Sequence, residues 1–260
     1  MSWRLLALDL DGTLLEEDGE ILPEVVERLT QVSAGGKLVT VASGRPETDI
    51  ESLLAASGVT PMHGWPVGLV ANERDVFVRD GDKFTPDEET NARLQRLETE
   101  NLPSIRRVID AWLAVQPDRA RFSRYDDPAT EELRKIVALR SPSLERSIDA
   151  QKQLSKIFEL QRLPIQVFRN RSMLVFRHAD ICKGRALLRL ANKLGVDACE
   201  VLAIGDSDND RGMLDGRYEF EPGCPANAEA AIAEAVRSHG GIVASQPNGR
   251  GILEILADVE

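Results

Sequence analysis

No stretch of this chain is apolar for the ~18 residues that cross a bilayer. The opening MSWRLLALDLDGT also lacks the ~7–15-residue apolar core and small-residue cleavage site of a secretory signal. The expectation is a soluble, cytoplasmic protein with no membrane partner. Surplus positive charge is missing as well. With 43 acidic against 32 basic residues the formal charge is −11. That argues against a general nucleic-acid binder, because phosphate backbones are held by excess Lys and Arg. A small anionic substrate is still allowed, since one local cationic pocket can oppose the global sign. Cysteine is scarce too: Cys182, Cys199 and Cys224 are odd in number and show no CxxC spacing. Neither a disulfide framework nor a zinc site is suggested, and three reduced thiols are expected. His63, His178 and His239 have no motif around them, and no repeat dominates. What remains, 42% hydrophobic and 29% charged residues over 260 positions, is an ordinary globular composition. It suffices for one large domain or for a core with a smaller insert. Oligomeric state leaves no mark in the sequence.

Short apolar runs alternate with helical patterns. RLLALDL (residues 4–10) reads as a strand buried on both faces. Ile21, Leu22, Val25, Val26, Leu29 and Val32 then recur at helical spacing until Gly35-Gly36. KLVTVAS is a second strand, Pro46 suits a helix start, and GLVAN (68–72) is a third strand. Strand-helix alternation points to right-handed crossovers and a parallel sheet. The alternation breaks between about Val76 and Arg177. VFVRDGDKF reads there as a hairpin, ARFSRY as a strand, ATEELRKIVALR as a helix, and LPIQVFRN and SMLVFRH as a strand pair. From Lys183 the first pattern resumes, with a helix ending at Gly195 and a strand VLAIGD. The expected architecture is α/β: a Rossmann-like parallel-sheet core (1–80 and 178–260) interrupted by an α+β cap (81–177).

Open parallel sheets bind ligands at the carboxyl ends of their strands. Four places qualify: Asp9 and Asp11 after the first strand, Ser43 after the second, Lys183 opening the helix after the insert, and GDSDND from Gly205 to Asp210. Asp9 and Asp11 are two apart, the spacing that aims strand side chains the same way, and Gly12-Thr13 then bends the chain and offers N–H groups. A carboxylate attacking a phosphate meets about 5 kcal/mol of repulsion per pair of unit charges at ~3.5 Å and an effective dielectric of ~20. Lys183 can supply one offsetting charge, and acids gathered around Mg²⁺ the rest.

DLDGTLL, ASGRP, the lone Lys of CKGRAL and GDSDND, in this order, resemble the haloacid dehalogenase superfamily, in particular its Cof-like and sucrose-phosphatase-like branches with a large cap. The resemblance covers about residues 1–80 and 178–260. It implies a Mg²⁺-dependent phosphatase acting on a small phosphorylated metabolite, with Asp9 as nucleophile forming an aspartyl-phosphate and Asp11 as general acid and base. Ser43 and Lys183 would hold phosphate, with Gly44 beside them and N–H groups from Gly12 and Thr13. Asp9, the backbone carbonyl of Asp11, Asp206, Asn209 and Asp210 would hold or orient Mg²⁺. Arg45 would touch substrate or brace the cap, which would close over the substrate. A phosphomutase or phosphotransferase on the same fold stays open as an alternative. A receiver-like signalling domain fits less well, because it carries its acids and phospho-acceptor on different strands.

GDSDND is no calcium loop, since its sixth and twelfth positions are Arg211 and Arg217. Asp208 is expected to be solvated, Ser43 could cap the helix near Pro46, and Trp65 and Trp112 are expected in packing. Arg121, Arg124, Arg169 and Arg171 could reach substrate, none singled out over the others.

Overall fold

Leu5–Leu8 (β1) is apolar at every position because it lies in the middle of a sheet covered on both faces. In the computed structural model, which describes residues 3–125 and 137–259, the chain then forms Pro23–Ala34 (α1), Leu38–Ala42 (β2), Glu47–Ala56 (α2), Gly68–Ala71 (β3), Asp75–Asp80 (β4) and Lys83–Pro86 (β5). Gly35 stops α1 and Gly36 turns the chain at φ 86°. A second unit follows, made of Glu88–Ala114 (α3), Ser123–Tyr125 (β6), Val137–Arg140 (β7), Leu144–Leu160 (α4), Ile165–Asn170 (β8) and Met173–His178 (β9), with Glu88 of α3 still belonging to the first unit. The first unit resumes with Lys183–Lys193 (α5), Val201–Ile204 (β10), Arg211–Leu214 (α6), Glu221–Cys224 (β11), Ala230–Ser238 (α7), Ile242–Val243 (β12) and Asn248–Asp258 (α8). The two units are Met1–Glu88 with Lys183–Glu260, and Glu89–Cys182. No helix among the described residues is long and apolar enough to cross a membrane.

The first unit is an α/β layer structure. Its sheet runs β12-β11-β10-β1-β2-β3-β4-β5, parallel from β12 to β3 and antiparallel from β3 to β5. Strand alternation sorts side chains to two cores. Leu6, Leu8, Val39, Val41 and Ile204 pack with Val25, Leu29, Ile50 and Ile252, while Leu5, Ala7, Val70 and Ala203 pack with Leu187, Leu190 and Ile232. The VFVRDGDKF hairpin forms, with Asp80 paired to Lys83, but it extends this sheet instead of opening the insert. Val76 and Val70 sit in the same core, so the apolar strand is drawn onto the sheet edge.

The second unit is an antiparallel sheet, β6-β7-β9-β8, with α3 and α4 sharing its core: Ile105, Ile109, Trp112, Leu154 and Phe158 pack with Leu139, Val167 and Phe176. The expected helix ATEELRKIVALR is corrected in part. Val137–Arg140 is a strand whose Val137 and Leu139 are buried and whose Arg140 is exposed, an alternation of period two; residues 129–136 of that segment lie outside the described residues. The strand pair around Asn170 forms as expected, with Asn170 facing Met173 across the turn. Trp65 and Trp112 are both buried in packing.

Candidate active site

The strand order reverses between β1 and β10. From β1 the chain moves outward through β2 and β3, and from β10 through β11 and β12, so the loops after β1 and β10 diverge around a crevice at the carboxyl end of the sheet. Asp9 continues the ladder past β1, its N–H donating to Ile204 O at 2.9 Å. Gly12 follows at φ 84°, and a Cβ there would lie 2.7 Å from Asp206 Oδ2, so both the backbone conformation and the close approach require glycine. The Gly12 carbonyl accepts from Asn227 Nδ2 at 2.7 Å, and the buried Thr13 hydroxyl donates to Asp206 Oδ1 at 3.4 Å.

The turn after β10 is organised by Asp210. Its Oδ2 accepts from the N–H groups of Asp206 (3.0 Å) and Ser207 (3.1 Å), while the Ser207 hydroxyl donates to Asp206 Oδ2 at 3.0 Å. Its other oxygen, Oδ1, accepts from Lys183 Nζ at 2.5 Å, and the same ammonium donates to Asp9 Oδ1 at 2.7 Å. Lys183 is the first residue of α5 and has no exposed surface. Oxygens of Asp9, Asp206 and Asp210 lie within 4.8 Å of one another, all three residues buried. Burial pushes the Asp9 carboxyl well above its ordinary range, Asp210 and Asp206 push it the same way, and Lys183 opposes them. Burial alone would lower the Lys183 ammonium, but Asp210 and Asp9, with a contribution from Glu73, outweigh it and hold the lysine charged.

Around this cluster lie the remaining expected residues. Ser43 is buried at the end of β2, where its N–H donates to Val70 O. It does not cap α2, whose N-cap is Pro46 without a side-chain bond; its hydroxyl accepts from Arg45 N at 3.1 Å. Arg45 forms a two-point pair with Asp11, at 2.8 and 2.7 Å, and the Asp11 side chain is 41% exposed. Asn209 is buried and donates to Glu73 Oε1 at 3.0 Å. Gly44 lies against the same Glu73 carboxylate. Asp208 corrects an expectation: it is 8% exposed rather than solvated, and it accepts from Arg211 at 3.2 Å. Of the second unit's arginines, Arg124 pairs with Asp110 and the buried Arg169 donates to Arg171 O.

Asp9, Lys183, Asp206 and Asp210 thus meet directly, Gly12 and Thr13 join them through Asp206, and Asp11 with Arg45 forms a second pair. Sequence reasoning missed Ser207, Asn227 and Glu73. Glu73 had a usable signal: it lies just past the end of β3, the kind of position singled out at the ends of β1, β2 and β10.

Residues 6–73 and 115–217, more than half of the chain, match the family of haloacid dehalogenase-like hydrolases. The chain belongs to this family. The 5-amino-6-(5-phospho-D-ribitylamino)uracil phosphatase of Bacillus subtilis is 26% identical, the match covering 82% of this chain and 84% of the relative. The HMP-PP phosphatase of Yersinia enterocolitica is 27% identical over 82% of this chain and 80% of its own. The fold matches that of the sucrose-phosphatase from Synechocystis sp. PCC6803 with a TM-score of 0.75 at 17% identity, covering 99% and 98% of the two chains.

Hydrolases of this family generally use Mg²⁺, and the residues present fit that ion. The donor set is all oxygen, the chemistry a hard cation selects. Buried Asp9, Asp210 and Glu73 act on one lysine, with Asp206 beside the first two, an acid excess that a divalent cation offsets. Asn209 Oδ1 is buried and meets no hydrogen-bond partner among the described residues.

Proposed function

We propose that this hydrolase is a Mg²⁺-dependent phosphatase of a small phosphate monoester, a sugar phosphate or related metabolite, acting through an aspartyl-phosphate on Asp9. The observation that carries the reading is the buried Lys183 ammonium set between Asp9 and Asp210, at 2.7 and 2.5 Å, beside Asp206. This lysine donates to two buried carboxylates with a third beside them, so the pocket gathers more negative charge than the ammonium neutralises. The names of its phosphatase relatives support the class of small phosphorylated substrate.

In this reading an oxygen of Asp9 bonds to phosphorus as the bond to the leaving oxygen breaks, and Asp11 gives that oxygen a proton. Water then attacks phosphorus, Asp11 takes its proton, and the Asp9–phosphorus linkage breaks to release inorganic phosphate. Each Asp11 oxygen accepts one bond from Arg45, which orients the carboxyl and leaves a second lone pair on each oxygen for the proton. Lys183, Ser43 and the N–H groups of Gly12 and Thr13 hold the phosphoryl oxygens, with Gly44 leaving room. Asp9, the Asp11 carbonyl, Asp206 and Asp210 would hold the metal, with Asn209 orienting its shell. Bound there, Mg²⁺ supplies positive charge against the repulsion between carboxylate and phosphate.

The test is phosphate release from a panel of phosphorylated metabolites, with and without Mg²⁺ and with and without a sugar acceptor. Mg²⁺-dependent release into water without acceptor is expected. Turnover only when an acceptor is present, with phosphate recovered on it, would replace the reading by phosphotransfer.

A further inference from the structure

We propose that Glu73 is a positioning residue for the acid cluster: it fixes which end of the Asn209 amide faces the metal, and so sets Mg²⁺ affinity. The proposal rests on the reading of the cluster as a Mg²⁺ site. Glu73 occupies a place that suits a glutamate badly. Asn72 and Glu73, linking β3 to β4, have φ of 52° and 56°, a left-handed region that asparagine tolerates and that glutamate seldom enters. The residue is also only 5% exposed, and carboxylates are seldom buried at turns. A backbone strain and a desolvation cost therefore fall on one residue, a combination that collects at functional positions.

Its contacts say what the strain supports. The Glu73 N–H donates to Ser43 O at 2.9 Å, tying the turn to the end of β2. Its Oε1 accepts from Asn209 Nδ2 at 3.0 Å, and a Cβ on Gly44 would come within 3.3 Å of that oxygen, so the neighbouring glycine makes room for the carboxylate. An ionised carboxylate can only accept, so the end of Asn209 that meets it is the NH₂. That choice turns the amide oxygen the other way. Asn209 Oδ1 is buried with no hydrogen-bond partner among the described residues, one residue from Asp210 in the turn that carries the acid cluster. A carbonyl oxygen so placed suits a hard cation or a water bound to it. Without Glu73 the amide is free to flip and present NH₂ instead, which a cation repels. The Glu73 charge also helps hold Lys183 protonated.

Metal binding is read without turnover, by calorimetric titration with MgCl₂ and by the rise in Tm that Mg²⁺ produces, in the wild-type protein, Glu73→Gly, Glu73→Gln, Asn209→Ala and the Glu73→Gly/Asn209→Ala pair. Glycine relieves the left-handed strain, so the metal-free Tm of Glu73→Gly should hold or rise while its Kd for Mg²⁺ weakens roughly tenfold or more. The paired variant should bind no more weakly than Asn209→Ala, because both changes remove one device. Glu73→Gln, whose own amide can face Asn209 either way, should fall between. Wild-type Mg²⁺ affinity in Glu73→Gly, or losses that multiply in the paired variant, would overturn the role of Glu73 alone. Absence of Mg²⁺ binding by the wild-type protein would overturn it together with the metal reading.

Discussion

Replacing Lys183 by Met tests the electrostatics of the cluster. The ammonium donates to Asp9 at 2.7 Å and Asp210 at 2.5 Å. Once it is gone, the carboxylates of Asp9, Asp206 and Asp210 stay within 4.8 Å of one another with no cation between them. At that separation and an effective dielectric of ~20, each ionised pair repels by about 3.5 kcal/mol. Relaxation and proton uptake reduce the total, and removing one member of a buried ion pair ordinarily costs about 3–5 kcal/mol. At about 2–4 °C per kcal/mol for a domain of this size, the expected fall in Tm near pH 7.5 in EDTA is roughly 6–20 °C. The pH dependence has a definite sign. Burial already raises the Asp9 carboxyl and Lys183 opposes the rise, so in the variant Asp9 moves further up. The folded state then binds more protons than the unfolded one, and stability returns as pH falls. Thermal unfolding at about pH 7.5, 6.5 and 5.5 should therefore show a deficit that shrinks with acidity, and Mg²⁺ should recover part of it at the highest pH. A Tm loss under about 2 °C at pH 7.5, or a deficit that grows on acidification, would refute the reasoning.

Gly12→Ala should lower kcat at least tenfold and Tm by several degrees, measured by phosphate release and calorimetry, because it combines a φ of 84° with a Cβ 2.7 Å from Asp206 Oδ2. Burial pushes the Cys224 thiol up to about 11, and Cys182 is buried while Cys199 is exposed. Near pH 8, Ellman's reagent should therefore titrate one thiol rapidly in the native protein and three after denaturation.

The core of this fold was legible because its strands are short, apolar and separated by helices with clear stops. β1, α1 and β10 fall where periodicity and glycine put them, and the acids were found by looking just past the strand ends. What escaped were residues whose roles depend on distant partners. Nothing local marks Asn227 as the donor to the Gly12 carbonyl, 215 positions away, or Glu73 as the partner of Asn209, 136 positions away. The hairpin after β3 was recognised as a hairpin, but which sheet it joins is decided by long-range packing of Val76 beside Val70, which periodicity does not carry. The stretch ending at Arg140 looked helical from its composition, yet Val137–Arg140 pairs with β9. Tertiary pairing overrides weak local preference there. The Asp11–Arg45 pair likewise joins the ends of two strands that only the sheet order brings together.

The central claim is that Asp9 attacks phosphorus. Its most direct test is Mg²⁺-dependent phosphate release by Asp9→Asn beside the wild-type protein, on whichever phosphorylated metabolite of the panel is turned over fastest. The carboxamide keeps the shape and loses the nucleophile, so kcat should fall by several orders of magnitude while the protein stays folded. Turnover by Asp9→Asn equal to that of the wild type would contradict the account.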